Sequence, residues 1–139
     1  MNKTEVTFLL VEDDDVDAIT LERTFKKLKI ANTLVRACDG LEALEILKAG
    51  SISSPFIILL DLQMPRMNGL EFLETIRKDP KYASSIVVVL TTSKADEDMI
   101  SSYKYNIAGY FLKSATAEFL DVVTLLDAYW KVVHFPSSG

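Results

Sequence analysis

The chain has 139 residues, 49% of them hydrophobic and 25% charged, which predicts one globular domain spanning residues 1–139 with a substantial core. The formal net charge of −5 offers no basic surface for nucleic acid, and the apolar stretch near the N-terminus is too short for a signal peptide or a membrane span. The single cysteine, Cys38, excludes an internal disulfide and a thiolate zinc cluster, and we expect it to be a small buried residue of a cytoplasmic protein.

Short apolar runs of strand length alternate with segments of helical period from one end of the chain to the other. The five strands are predicted over residues 6–11, 33–38, 56–61, 86–91 and 109–113. Several of these runs are apolar on both faces, which indicates helices packed on both faces of a parallel sheet. The pattern is (βα)5. It predicts an α/β fold, a doubly wound parallel five-stranded sheet with the flavodoxin-like order 2-1-3-4-5.

Five helices are expected after these strands. The first begins with capping acids at positions 13–15, and its apolar side chains at helical spacing are Val16, Ile19, Leu21, Phe25 and Leu28. The second ends at Gly50 through a left-handed cap, and the third ends before Asp79-Pro80. The fourth is predicted over residues 96–105 and the fifth over residues 116–133. The core is expected to span about residues 6–126, with a C-terminal helical extension at about 127–139.

Asp61 directly follows four aliphatic strand residues, so the strand should deliver a carboxylate to the edge where open α/β sheets keep their ligand sites. In the predicted strand order, Glu12 and Asp13 lie beside it. Neighbouring carboxylates repel one another, and a bound divalent cation keeps them ionised; Mg²⁺ fits because it favours oxygen ligands. Asp61 can then attack a phosphoryl group while the Thr91 hydroxyl and the Lys113 ammonium bind its oxygens.

Four segments carry a resemblance to a known family. They are LVEDD at 10–14, DLQMPRMNG at 61–69, LTT at 90–92 and GYFLK at 109–113. Together they resemble the receiver domain of two-component response regulators, the CheY-like family. The resemblance implies that Asp61 is the phosphoacceptor. It also implies that Mg²⁺ or Mn²⁺ is held by Asp61, by Asp13 directly, by Glu12 through water and by the backbone carbonyl of Gln63.

The same resemblance implies a conformational switch and two modulating positions. The Thr91 hydroxyl would move toward the phosphoryl group, and the Tyr110 ring would follow into the space vacated. Gln63 and Thr92 stand two positions after the acceptor and one after the switch hydroxyl, where residues in the family screen attacking water.

The chain departs from the family at Ser114, where a proline usually follows the lysine. A cis bond before a residue other than proline costs about 2.5–4 kcal/mol. The Lys113–Ser114 bond therefore either stores this strain or is trans and places Lys113 less firmly.

These residues favour a single-domain response regulator that receives a phosphoryl group from a sensor histidine kinase and signals through changed protein–protein contacts. Such a protein is not an enzyme on other substrates and catalyses only its own phosphorylation and dephosphorylation. Residues 128–136 are similar to the ends of small stand-alone receivers that serve phytochrome kinases, so the expected partners are a phytochrome-like kinase and a downstream or phosphotransfer protein. A homodimer through helix 4, strand 5 and helix 5, or through the C-terminal helix, is a further expectation, with core packing as the alternative role of the apolar end.

Two other functions fit parts of the sequence. One is a receiver-like interaction scaffold that works without phosphorylation, although the complete set of acids, threonine and lysine argues against it. The other is a phosphatase of the haloacid-dehalogenase type, which also uses an aspartyl nucleophile with Mg²⁺. Such an enzyme needs a second acid two residues after the nucleophile, and that position holds Gln63.

Overall fold

The computed structural model describes residues 6–52 and 54–113, together with residues 121 and 124. Strands and helices alternate along the chain in the order that the sequence predicts. The strands are β1 (Thr7–Val11), β2 (Leu34–Ala37), β3 (Phe56–Leu60), β4 (Ile86–Thr91) and β5 (Gly109–Leu112). The helices are α1 (Asp15–Lys27), α2 (Gly40–Lys48), α3 (Gly69–Lys78) and α4 (Asp96–Lys104). The predicted fifth helix and the C-terminal extension lie outside the described residues except for 121 and 124.

The five strands form one parallel sheet in the order β2-β1-β3-β4-β5, which confirms the predicted doubly wound α/β fold. This order makes β1 and β3 neighbours, with Val11 opposite Leu60 at their ends. The residues that follow β1 and β3 therefore meet at the same edge. The ends of β4 and β5 lie at that edge as well, with Thr91 opposite Leu112.

The strands point apolar side chains to both faces of the sheet, since successive residues of a strand face opposite sides. On one face Leu9, Ile58 and Val87 pack against α2 and α3. On the other, Phe8 and Ile57 pack against α1, where the Phe8 ring meets the ring of Phe25 edge to face at 5.0 Å. Each large side chain buried in this way contributes roughly 1.5–3 kcal/mol, so the central strands are rigid supports for the residues at their ends.

The buried face of α1 is narrower than its apolar spacing, and the expected burial of Cys38 is wrong. In α1 the buried positions are Ala18, Leu21 and Phe25, whereas Val16 is 72% exposed and Ile19 is 43% exposed. The spacing of three and four residues from Ala18 to Phe25 defines the face toward the sheet, and Val16 and Ile19 fall outside it. Cys38 is exposed because β2 ends at Ala37, which is the last residue of that strand to face the core.

The ends of the helices agree with the capping residues in the sequence. Asp14, Asp39 and Asn68 each accept a hydrogen bond from a backbone N–H in the first turn of α1, α2 and α3. Gly50 follows α2 with φ of +69°, which confirms the predicted left-handed cap. None of the described helices has the length and apolar character needed to cross a membrane.

Candidate functional site

Asp61 is the first residue after β3, and it is 5% exposed. Its backbone N–H donates to the carbonyl of Val11 at 3.0 Å, which continues the pairing of β1 with β3 by one residue. One of its carboxylate oxygens accepts a 3.2 Å hydrogen bond from the backbone N–H of Gln63. The strand therefore holds Asp61 at the carboxyl edge of the sheet, as the sequence predicts.

Three carboxylates meet at this edge. Glu12, Asp13 and Asp61 each offer one oxygen, and these oxygens all lie within 4.8 Å of one another. Glu12 and Asp61 are buried, while Asp13 is exposed and gives the cluster access to solvent. A cluster of oxygen ligands that is open on one side is the kind of site in which Mg²⁺ keeps several waters, so this donor set fits a divalent cation.

Within this cluster, the carboxyl group of Glu12 has a raised pKa. Burial raises the pKa of Glu12 to about 7, and the nearby charge of Asp61 adds to the effect, although hydrogen bonds from Lys113 and the Asp14 backbone oppose it. A cation bound nearby would favour the ionised form of this carboxyl group.

Lys113, the first residue after β5, extends its ammonium group into the cluster. Its Nζ lies 2.7 Å from an oxygen of Glu12, 2.6 Å from an oxygen of Asp17 and 3.2 Å from an oxygen of Asp61. Burial by itself lowers the pKa of Lys113, but the hydrogen bonds to Asp17 and Glu12 and the charge of Asp61 outweigh this and raise it. Lys113 is therefore a firmly protonated cation beside Asp61. Ser114, and with it the geometry of the Lys113–Ser114 bond, lies outside the described residues.

The contact with Asp17 is absent from the sequence-based prediction. Asp17 lies in the first turn of α1, and Asp14 accepts a 3.0 Å hydrogen bond from its backbone N–H. Its place in the first turn of the helix that follows the acidic pair is the signal that could have identified it.

Thr91 and Tyr110 lie on adjacent strands and are linked through Ser93. Thr91 is fully buried at the end of β4, and its hydroxyl oxygen accepts a 3.3 Å hydrogen bond from the Ser93 backbone N–H. The Tyr110 hydroxyl donates to the Ser93 carbonyl at 3.0 Å. The Ser93 hydroxyl in turn donates to a carboxylate oxygen of Asp98 in α4. Ser93 and Asp98 are thus additional residues of this region that the sequence motifs did not single out.

Gln63 and Thr92 form a hydrogen-bonded pair across the edge of the site. The Thr92 hydroxyl donates to the side-chain oxygen of Gln63 at 2.9 Å, and both residues are exposed. The pair connects the segment after β3 with the segment after β4. The two positions that the sequence analysis named as modulating residues therefore contact each other.

The loop between β3 and α3 is fixed at two points. Gly69 donates its backbone N–H to the carbonyl of Leu62 at 3.0 Å, which closes the loop on itself. Further out, Arg66 Nε donates to a carboxylate oxygen of Asp39 at 2.6 Å. The same Asp39 caps α2, and the hydrogen bond from Arg66 holds the pKa of the Asp39 carboxyl below its usual range. The loop that carries Gln63 is thereby tied to the start of α2.

A doubly wound sheet with an acid cluster, a lysine and a buried threonine at its carboxyl edge defines a receiver-type α/β domain. The family model of the response regulator receiver domain matches residues 8–124, and the chain belongs to this family of two-component signalling proteins. Receiver domains are phosphoacceptors and not classical enzymes.

Individual relatives agree with this assignment. The chain is 35% identical over 127 residues to the response regulator Rcp1 of Synechocystis, covering 88% of this chain and 86% of that protein. It is 34% identical over 126 residues to a probable methanogenesis regulatory protein, FilR2 of Methanothrix harundinacea, covering 88% of this chain and 81% of that protein.

Two crystal structures of related proteins superpose on this fold. The phosphorylated cyanobacterial phytochrome response regulator RcpA is similar with a TM-score of 0.79 and 30% identity, covering 94% of this chain and 97% of that chain. The Mn²⁺-bound form of Rcp1 is similar with a TM-score of 0.77 and 34% identity, covering 94% of this chain and 99% of that chain.

Proposed function

We propose that this receiver domain accepts a phosphoryl group from a histidine kinase onto Asp61 and signals through the change in its protein contacts that follows. The observation that carries the proposal is the arrangement around Asp61. Two further acids, Glu12 and Asp13, offer oxygens within 4.8 Å of its own, and the Lys113 ammonium lies 3.2 Å away. The buried hydroxyl of Thr91 ends the adjacent strand β4.

The metal ligands would be Asp13, Asp61 and the backbone carbonyl of Gln63, with Glu12 acting through water. Mg²⁺ is the proposed ion. Mn²⁺ would occupy the same ligands, and the Mn²⁺-bound form of the related Rcp1 supports this alternative. The bound ion would neutralise the negative charge of the carboxylates and of the phosphoryl oxygens.

The proposed reaction moves one phosphoryl group. A carboxylate oxygen of Asp61 forms a bond to phosphorus, the bond from phosphorus to the kinase histidine nitrogen breaks, and that nitrogen keeps the electron pair. The Lys113 ammonium and the Thr91 hydroxyl donate hydrogen bonds to the phosphoryl oxygens. Later attack of water on phosphorus returns the carboxylate and releases phosphate, so the domain catalyses its own phosphorylation and dephosphorylation.

The switch would begin at Thr91. When its hydroxyl turns toward the phosphoryl group, it leaves the backbone N–H of Ser93, to which it is now bonded at 3.3 Å. The Tyr110 ring would then leave the Ser93 carbonyl and enter the vacated space. Because Ser93 is also bonded to Asp98, this movement would reach α4.

The partner surface would include α4 and β5. An apolar groove of about 420 Å³ runs between them, lined by Ala95, Met99, Tyr110, Phe111 and Leu112 among others. Ile100 and Tyr103 are 58% and 48% exposed on the adjoining surface of α4. The downstream or phosphotransfer partner would bind this face. A homodimer would form either through this face together with the fifth helix, or through the C-terminal helix.

The kinase partner, the domain bounds and the cellular location are proposed from the relatives and the composition. RcpA is described as a phytochrome response regulator, which supports a phytochrome-like histidine kinase as the partner. We also propose that residues 1–139 form one receiver domain, with a core at about 6–126 and an extension at about 127–139, and that the protein works in the cytoplasm.

The test is phosphorylation of the purified chain by acetyl phosphate with Mg²⁺, followed by intact mass measurement. The wild type should gain one phosphoryl group, and the Asp61→Asn variant should gain none. Asp14→Asn is the matched control, because it removes a carboxylate at the same edge, where asparagine caps a helix equally well.

Other outcomes would favour the alternatives. Hydrolysis of many phosphate esters without a stable adduct would favour the phosphatase, although Gln63 stands where its second acid is needed. Absence of an adduct at every Mg²⁺ concentration would favour the scaffold. Dimerisation is tested by elution volume with and without the phosphodonor, and phosphorylation-dependent dimers formed equally by Asp61→Asn would contradict the proposed mechanism.

A further inference from the structure

The Lys113 ammonium is shared among three carboxylates. An ammonium group has three N–H donors. The oxygens around Nζ include those of Asp17 at 2.6 Å, Glu12 at 2.7 Å and Asp61 at 3.2 Å. The proposed acceptor is thus the most distant of the three partners, and the other two draw the ammonium away from it.

Asp17 differs from the other two acids in its location. It lies on α1, and its contact with Lys113 joins residues that are 96 positions apart in the sequence. Its side chain is 41% exposed, whereas those of Glu12 and Asp61 are 3% and 6% exposed. An ion pair with an exposed acid is screened by solvent and is easily exchanged for another partner.

These contacts define two competing demands on Asp61. The acceptor must keep its oxygens available to a metal ion and to phosphorus, and a close ion pair with Lys113 would occupy one of them. The same lysine must be near enough to contact an incoming phosphoryl oxygen. An exchangeable partner for the ammonium, separate from Asp61, satisfies both demands.

We propose that Asp17 is a positioning residue for Lys113. It holds the ammonium beside Asp61 without letting it pair closely with the acceptor, and it gives up the lysine when a phosphoryl oxygen arrives. The doubly charged phosphoryl group competes successfully because Asp17 is partly solvated. This inference rests on the proposed function, since it specifies how one residue of that site is prepared for the reaction.

The test compares Asp17→Asn with Asp15→Asn. Both remove one carboxylate from the first turn of α1, but Asp15 is paired with Arg36 at 2.7 Å and not with Lys113. Two quantities are measured: the rate of phosphorylation by acetyl phosphate at saturating Mg²⁺, and the dissociation constant for Mg²⁺ from calorimetry. In Asp17→Asn we expect phosphorylation to be about two- to five-fold slower and Mg²⁺ binding to be weaker by a similar factor, as the loss of one partly exposed ion pair implies. Asp15→Asn should stay close to the wild type in both.

A second set of variants separates positioning from a general structural role. In a Lys113→Ala background the additional Asp17→Asn change should have no effect on either quantity, because Asp17 is proposed to act only through the lysine. Asp17→Glu should restore part of the lost rate, since a carboxylate is again within reach of the ammonium.

The outcomes distinguish this inference from the proposed function. If wild type gains no phosphoryl group, the proposed function fails, and the Mg²⁺ measurement still tests Asp17. If wild type is phosphorylated but Asp17→Asn equals Asp15→Asn in both quantities, the inference is wrong while the function stands. An Asp17→Asn effect that persists at full size in the Lys113→Ala background would also overturn it.

Discussion

The Tyr110 hydroxyl donates a 3.0 Å hydrogen bond to the backbone carbonyl of Ser93. This bond ties the Tyr110 side chain to the segment that leads from β4 into α4. It matters because Ala95, which precedes the first residue of α4, provides no side-chain cap, in contrast to the capping residues of α1, α2 and α3. The start of α4 therefore depends on the contacts of Ser93, which connect it to both Tyr110 and Thr91.

The Tyr110→Phe variant should be phosphorylated faster than wild type. A neutral hydrogen bond contributes about 0.5–1.5 kcal/mol, so removing one that must break during the switch should raise the rate with acetyl phosphate roughly two- to ten-fold. The measurement is a time course of intact mass. Tyr103→Phe, which alters a 48% exposed tyrosine of α4, is the control and should leave the rate unchanged. A wild-type rate for Tyr110→Phe would contradict the proposed coupling.

Mg²⁺ binding should release a proton from Glu12. The pKa of Glu12 is raised by burial to about 7, so much of this carboxyl group is protonated at neutral pH, and a bound cation favours the ionised form. We expect the affinity for Mg²⁺ to fall as the pH is lowered below about 7, by at most about tenfold per pH unit. Calorimetry in buffers of different ionisation enthalpy measures the proton release, and Glu12→Gln should abolish the part that comes from this residue.

The same shift has a consequence for the stability of the metal-free protein. A carboxyl group whose folded pKa is raised stabilises the folded state below its unfolded pKa of 4.5, and this stabilisation is lost as the pH rises through about 7. As the pH rises over that range, the free energy of unfolding of wild type should therefore fall relative to that of Glu12→Gln. A difference that does not depend on pH would show that Glu12 is already ionised.

The pair of Gln63 and Thr92 should control how long the phosphoryl group lasts. Their 2.9 Å hydrogen bond spans the opening between two loops of the site, where it would restrict the approach of water. Thr92→Val keeps the size of the side chain and removes the donor, and Gln63→Ala removes the acceptor. Each should raise the hydrolysis rate of phosphorylated protein, measured by loss of the adduct mass, and the double variant should be little faster than the faster single one. Fully additive effects would mean that the two residues act separately.

Gly69 should be required for phosphorylation beyond its effect on stability. A Cβ atom at this position would lie 2.5 Å from the carbonyl oxygen of Asp61 and 2.7 Å from Cα of Leu62, so Gly69→Ala must displace the backbone that carries the acceptor. The control is Gly50→Ala, which is strained by φ of +69° but has open space around it. Both variants should unfold more easily by about 1–3 kcal/mol, but Gly69→Ala alone should lose roughly tenfold or more in phosphorylation rate. Equal phosphorylation rates in the two variants would contradict this.

The main features of the site were predictable from the sequence because they depend on the ends of strands. Once the order 2-1-3-4-5 is inferred from alternating strands and helices, the residues that follow β1, β3, β4 and β5 must share one edge, whichever side chains they carry. This is why Glu12, Asp13, Asp61, Thr91 and Lys113 could be grouped from the sequence alone. The buried face of α1 was harder to predict, because Val16 and Ile19 are apolar but lie outside the face that packs on the sheet.

By itself, the amino-acid sequence determined the fold, the family and the residues at the centre of the site, because periodicity and local motifs reflect backbone geometry. Only the tertiary structure decided which side chains pair with one another across that edge. The contacts of Lys113 with Asp17, of Gln63 with Thr92 and of Arg66 with Asp39 join residues from separate elements. Their formation depends on distances of a few ångströms set by how helices pack on the sheet, which no local pattern in the chain encodes.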